Sequence, residues 1–194
     1  MKATIGSSHL GICVSDLDRS VRFYTEVLAA DELALYSLDE VMPKTYRSYL
    51  ETPASTRAYS KFLAIDGLLI ELLYYTRGGS PGGYIGPANR RPMNQLGFTH
   101  LALRISDVDE FQATLEKVET YGGMVVKGGR IIAELFDGEP IECAFVTDPD
   151  GTRVELMRMP DHYPVANTVY RRRRFELDTD PNPNPPPVLS RLAF

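Results

Sequence analysis

The chain has 194 residues, 43% of them hydrophobic and 24% charged, proportions that fit a folded globular protein and exclude a disordered one. Its 26 acidic residues outnumber 21 Lys and Arg, for a formal charge of −5, which argues against a nucleic-acid partner because duplex binding draws on a basic surplus. No apolar run approaches the roughly 18 residues of a membrane span and the N-terminus has no apolar signal core, so a cytoplasmic protein with no membrane partner is expected.

In chain order, residues 9–14 alternate as a strand, with Leu10, Ile12 and Val14 on one face and His9, Gly11 and Cys13 on the other. Ser15 is read as a helix N-cap, followed by a helix whose apolar stripe is Leu17, Val21, Tyr24 and Leu28. Strands follow at about 32–37, 58–65 and 68–75, the last two joined by an Asp66-Gly67 turn, with a long Ser37–Arg57 middle. A Gly-rich connector, Gly78 to Gly83, leads to a second strand at 100–105. Ser106 is read as the next N-cap, and Val108, Phe111, Leu115 and Val118 as the next helix stripe. Strands at about 123–128, 141–147 and 152–158 complete the pattern, with a turn at Asp150-Gly151. Cys13 and Cys143, the only cysteines, lie in apolar strand-like runs and are read as buried free thiols. After Met159 the composition shifts to a run of arginines, Arg171 to Arg174, and a proline-rich stretch from Pro181 to Pro187.

These elements repeat. His9-Leu10-Gly11-Ile12-Cys13-Val14-Ser15-Asp16-Leu17-Asp18 lies over His100-Leu101-Ala102-Leu103-Arg104-Ile105-Ser106-Asp107-Val108-Asp109, and Asp66-Gly67-Leu68-Leu69-Ile70-Glu71-Leu72 over Asp150-Gly151-Thr152-Arg153-Val154-Glu155-Leu156. Two blocks in the same order mark a duplicated module. The expected organisation is a first βαβββ module at 5–76, a connecting loop at 77–96, a second module at 97–159 and a C-terminal arm at 160–194. The arm is read either as packing on the core or reaching toward a second subunit, since Leu189, Leu192 and Phe194 call for burial, or, from its composition, as a partly disordered tail.

Two of the three histidines, His9 and His100, occupy equivalent places, and so do Glu71 and Glu155. Each carboxylate stands mid-strand between apolar neighbours, Ile70 and Leu72 or Val154 and Leu156, where burial without a counter-ion is costly. One divalent cation held by two neutral imidazoles and two carboxylates supplies that counter-ion. The N₂O₂ set suits Zn, Ni, Co, Mn or Fe. His162 has no counterpart in the repeat and is left out of the set.

The run from His9 through Asp18 to Leu28 resembles the opening of vicinal oxygen chelate (VOC) proteins, the superfamily of glyoxalase I, methylmalonyl-CoA epimerase, extradiol dioxygenases and drug-resistance proteins. Phe145-Val146-Thr147-Asp148-Pro149-Asp150-Gly151-Thr152-Arg153-Val154-Glu155-Leu156 resembles that superfamily's last strand. The resemblance covers about residues 5–158. It implies an α+β fold in which two paired βαβββ modules form a cup-shaped mixed sheet around a metal site, with His9, Glu71, His100 and Glu155 as ligands.

Four protein ligands on a six-coordinate metal leave two positions for a chelating substrate. The expected chemistry is removal of a proton beside a carbonyl through a chelated enediolate, with Glu71 or Glu155 as base. The expected substrate is a small hydroxy-ketone, sugar- or cyclitol-like as in 2-epi-5-epi-valiolone epimerisation, or an acyl-CoA. Alternatives are a glyoxalase I-type lyase, an extradiol-type dioxygenase, and a small-molecule-binding resistance protein. A homodimer is expected.

Overall fold

The computed structural model describes residues 6–42, 45–53, 55–76, 92–134 and 140–159. The C-terminal arm and most of the connecting loop lie outside the described residues. The elements run β1 (Leu10–Val14), α1 (Leu17–Glu26), β2 (Asp31–Ser37), α2 (Leu38–Val41), α3 (Tyr46–Tyr49), β3 (Arg57–Ile65), β4 (Leu68–Thr76), β5 (Leu101–Ile105), α4 (Val108–Thr120), β6 (Met124–Glu134), β7 (Pro140–Thr147) and β8 (Arg153–Arg158). They form two four-stranded sheets, β1-β4-β3-β2 and β5-β8-β7-β6. The first strand of each pairs parallel with the last, and the other pairs are antiparallel. The repeat read from the sequence is therefore a repeat of topology. Among the described residues, no helix is long and apolar enough to cross a membrane.

Local chemistry sets the element boundaries, and in places departs from the sequence reading. The helix caps are Asp16 and Asp107, not Ser15 and Ser106. Asp16 accepts from the Arg19 amide, and Asp107 from the amides of Asp109 and Glu110. A carboxylate is the stronger acceptor at a helix N-terminus, and the Ser15 hydroxyl is already engaged by Asp150 at 2.5 Å. Asp66 and Gly67 both have positive φ, 44° and 79°, as a two-residue hairpin turn with right-handed strand twist requires. The equivalent β7–β8 connection is longer. There Asp148 Oδ1 accepts from the amides of Asp150 and Thr152, so a side chain takes over part of the turn's hydrogen bonding. β6 runs to Glu134, past the expected end near 128, because the register irregularity between Val125 and Arg130 lets the chain pass Gly128 and Gly129 and resume pairing. Cys143 is buried, whereas Cys13 is exposed; it shares the β1 face of His9, opposite the apolar residues.

One hydrophobic core serves both modules. Ile12, Val14, Phe23, Tyr24, Leu63, Ile70 and Leu72 from the first join Phe111, Val118, Ala144, Val146, Val154 and Leu156 from the second in a single cluster. Phe23, Tyr24 and Phe111 are fully buried, each contributing about 1.5–3 kcal/mol by removal from water. The close fit is visible at Gly123, where an added Cβ would stand 2.3 Å from the Thr147 carbonyl oxygen and 2.6 Å from the Phe23 ring. A polar clasp adds to the join. Tyr24 Oη donates to Asp148 Oδ2 at 3.1 Å, and Arg19 and the Ser15 amide both donate to Asp150 at 2.9 Å.

Asp148 is the one fully buried carboxylate of this clasp. Burial pushes its carboxyl up from the ordinary 3.8 to about 6, against the opposing pull of the hydrogen bonds from Thr152 and Tyr24. A folded-state pKa above the unfolded value means that the folded chain holds the proton more tightly, so this contribution to stability is complete below the unfolded pKa and is lost as pH rises through about 6. Asp148→Asn keeps an oxygen acceptor for the two amides and removes the charge. Its melting temperature relative to wild type should therefore rise between about pH 4 and pH 7, by the equivalent of about 1–3 kcal/mol. Parallel pH profiles for the two proteins would contradict this.

Candidate metal centre

Strand alternation decides where the four candidate ligands point. On β4, Ile70 and Leu72 are fully buried in the shared core, so Glu71 between them faces the other way, with Leu73 and Tyr75 following on its side. On β8, Val154 and Leu156 do the same for Glu155. His9 and His100 immediately precede β1 and β5, the strands hydrogen-bonded to β4 and β8. Each histidine is thereby placed beside the carboxylate of its own sheet. His9 Nε2 lies 3.1 Å from Glu71 Oε2, and His100 Nε2 lies 3.1 Å from Glu155 Oε2.

The surroundings of the two pairs match closely. Ser8 Oγ is 3.1 Å from His9 Nδ1, and Thr99 Oγ1 is 3.0 Å from His100 Nδ1. A hydroxyl accepting from Nδ1–H leaves the Nε2 lone pair for a cation and fixes the ring's orientation. Each imidazole also meets a phenylalanine edge-on, Phe62 at 5.6 Å and Phe145 at 5.4 Å between ring centroids. These phenylalanines are the register partners of Glu71 and Glu155. The hydroxyl before each histidine and the phenylalanine opposite each glutamate escaped the sequence reading. Both recur in the repeat, Ser8 with Thr99 and Phe62 with Phe145, and extending the alignment by one residue and by one strand would have exposed them.

The pairs differ in a hydroxyl beside the carboxylate. Ser60 Oγ donates to Glu71 Oε1 at 2.5 Å. The residue of β7 in the same register is Cys143, opposite Met157 as Ser60 is opposite Leu73. Burial, and then the charges of Glu155 and Glu142, push the Cys143 thiol up to about 11.

All four expected ligands thus lie where strand alternation puts them, but in two pairs. Among the described residues, no three His, Cys, Asp or Glu side chains come together closely enough to hold a metal ion. The sequence leaves open whether one chain completes the four-ligand centre or two chains share it, and within this chain the two described pairs stay apart because both carboxylates face away from a core that the two sheets share. A cleft of about 520 Å³ does open between the modules, against Val27, Leu28, Ile65 and Leu103, but none of the four ligands lines it.

The face around Glu71 is partly roofed by the long middle of the first module. Leu38 of α2 and Leu50 after α3 pack on Ala58, Leu73 and Tyr75. Arg47 holds the roof, donating to the Thr56 carbonyl at 2.8 Å and pairing with Asp39. Burial raises the Tyr75 hydroxyl above its usual value, with Cys13 and Glu71 adding to the effect. The long middle of the first module thus borders this face with two short helices.

Paired βαβββ modules with a histidine ahead of the first strand and a glutamate on the last define a class of small α+β proteins, and sequence comparison gives it a name. Residues 6–156 match the model of the Glyoxalase/Bleomycin resistance protein/Dioxygenase superfamily, and the chain belongs to that family. It is 28% identical over 167 residues to a lactoylglutathione lyase of Schizosaccharomyces pombe, covering 85% of this chain and 51% of that one, so it spans about half of that relative's length. It is also 28% identical over 163 residues to a 2-epi-5-epi-valiolone epimerase of Actinomyces sp, covering 80% of each. In fold it resembles a glyoxalase family protein from Bacillus cereus, with a TM-score of 0.63 at 15% identity, covering 82% of this chain and 97% of that one.

Proposed function

We propose that this protein is a divalent-metal-dependent isomerase or epimerase that moves a proton on the carbon next to a carbonyl, and that its metal is held between two copies of the chain. The observation that carries the reading is the twofold occurrence of a histidine Nε2 and a glutamate oxygen 3.1 Å apart, each imidazole backed by a hydroxyl at Nδ1. These donors fit a borderline divalent ion, two imidazole nitrogens and two carboxylates giving a neutral set. One pair alone is too few for such an ion, and the other pair of the same chain faces away. His9 and Glu71 of one chain with His100 and Glu155 of another make up the set.

The open outer edges of β1 and β5 support a two-chain assembly. Among the described residues each of these strands is hydrogen-bonded on one side only, and an unpaired strand edge is a ready surface for pairing. A homodimer with closed twofold symmetry would contain two such centres.

When bound, the metal supplies Lewis acidity that stabilises the negative charge developing on the substrate's oxygens. The chain's own groups do the rest. A glutamate carboxylate accepts the proton from the carbon beside the carbonyl and later returns it. The imidazoles, fixed by Ser8 and Thr99, keep the donor set in place. The Leu38–Leu50 roof shields part of the face of Glu71 from water. A small hydroxy-ketone, sugar- or cyclitol-like, is the preferred substrate class, and the relative named as a valiolone epimerase favours it. A second reading, a lyase acting as glyoxalase I does, uses the same first proton transfer and is favoured by the relative named as a lactoylglutathione lyase.

Elemental analysis of the purified protein should find about one divalent ion per chain, since two centres serve two chains. His9→Ala and His100→Ala should each lose most of it. A double variant that keeps a full complement would overturn the ligand assignment.

The reaction class has its own test. Substrate and product recovered from D₂O should carry deuterium on the carbon beside the carbonyl, and turnover should continue without oxygen. Oxygen consumption matched to turnover, with no deuterium gained, would instead indicate a dioxygenase.

A further inference from the structure

The two half-sites are near copies, and one polar difference between them, beside the carboxylates, bears on how they share the work. Ser60 is buried, and its hydroxyl donates to Glu71 Oε1 at 2.5 Å while Glu71 Oε2 faces His9. Both oxygens of Glu71 therefore have fixed partners. In the second module Cys143 occupies the register position of Ser60 and is likewise buried. A thiol is a weak hydrogen-bond donor with a longer reach than a hydroxyl. Glu155 has the His100 ring at Oε2, and among the described residues no hydroxyl donates to its other oxygen.

We propose, building on the metal-dependent reading above, that Ser60 is a positioning residue that makes Glu71 the fixed carboxylate of the centre and leaves Glu155 as the one free to swing toward substrate. A short hydrogen bond from a buried hydroxyl restricts the carboxylate's rotation, so Glu71 is already oriented for a cation. Rotating it away would strand the Ser60 hydroxyl, which sits in a buried position between Phe62 and Ala58 on β3. Glu155 pays no such penalty. The same fold thus provides one carboxylate suited to holding a cation and one suited to carrying a proton, with an oxygen-for-sulfur difference beside them dividing the labour.

Exchanging the two side chains tests this, since Ser60→Cys and Cys143→Ser are near-isosteric. The metal-free protein would be titrated with cobalt(II) alone, and deuterium incorporation would be followed separately in the cobalt-loaded protein. Ser60→Cys should weaken cobalt affinity about tenfold, in the range seen when a ligand's hydrogen-bonding partner is removed, with little change in the melting temperature of the metal-free protein. Cys143→Ser should act in the opposite sense on affinity, binding cobalt more tightly, while slowing deuterium incorporation because Glu155 is now tethered. A merely structural role for either residue would not give tighter binding with slower exchange. Unchanged affinity in Ser60→Cys, or a Cys143→Ser protein that neither binds more tightly nor exchanges more slowly, would overturn the proposal. A wild-type chain that binds no cobalt would overturn the metal reading beneath it, a separate outcome.

Discussion

A carboxylate placed between two core residues on a strand has only one direction in which to point. Ile70 and Leu72 on β4, and Val154 and Leu156 on β8, are buried in a core common to both modules, so alternation turns Glu71 and Glu155 outward from it. The rest of the site follows. Parallel pairing of β1 with β4 and of β5 with β8 brings each histidine to its own glutamate, and the shared core keeps the two pairs apart. The packing that stabilises the single chain is therefore also what keeps its two His–Glu pairs apart, and in the proposed dimer folding and metal binding become linked through the second copy.

The join between the modules carries this arrangement. Phe23 of α1 lies so close to the start of β6 that only glycine fits at position 123, and Tyr24 of the same helix reaches Asp148 in the β7–β8 turn. The helix of the first module is thus locked against the strands of the second by both packing and hydrogen bonding. A dry aromatic contact fixes the distance, and the buried Tyr24–Asp148 bond fixes the orientation. Since β8 leaves that turn carrying Glu155, the clasp also sets where the second half-site lies relative to the first.

Much of this was legible in the sequence, because the relevant signals are local and were present twice. Period-two alternation placed His9, Gly11 and Cys13 opposite Leu10, Ile12 and Val14, and duplication turned two isolated His–Glu coincidences into a pattern. The parts that were not legible depend on contacts between elements. Nothing local says that the modules face a common core, since either face-to-face arrangement satisfies the same alternation. Serine commonly caps helices, but the Ser15 hydroxyl bonds to Asp150, 135 residues away. The apolar neighbours of Cys13 suggest burial, yet it stands on the face that β1 turns away from the core. Gly128 and Gly129 read as the end of a strand, whereas the chain uses them to bulge and continue.

The central claim is that each metal centre takes one half from each of two chains, and mixing two defective variants tests it most directly. His9→Ala spoils the first half-site and His100→Ala the second, so each variant alone forms dimers with no intact centre. Dissociated and reassembled together, half of the dimers should be mixed, and each mixed dimer should contain one centre built wholly from undamaged halves. The mixture should then regain about a quarter of the wild-type metal content. A mixture that binds no more metal than the separate variants would contradict a shared centre and return all four ligands to a single chain.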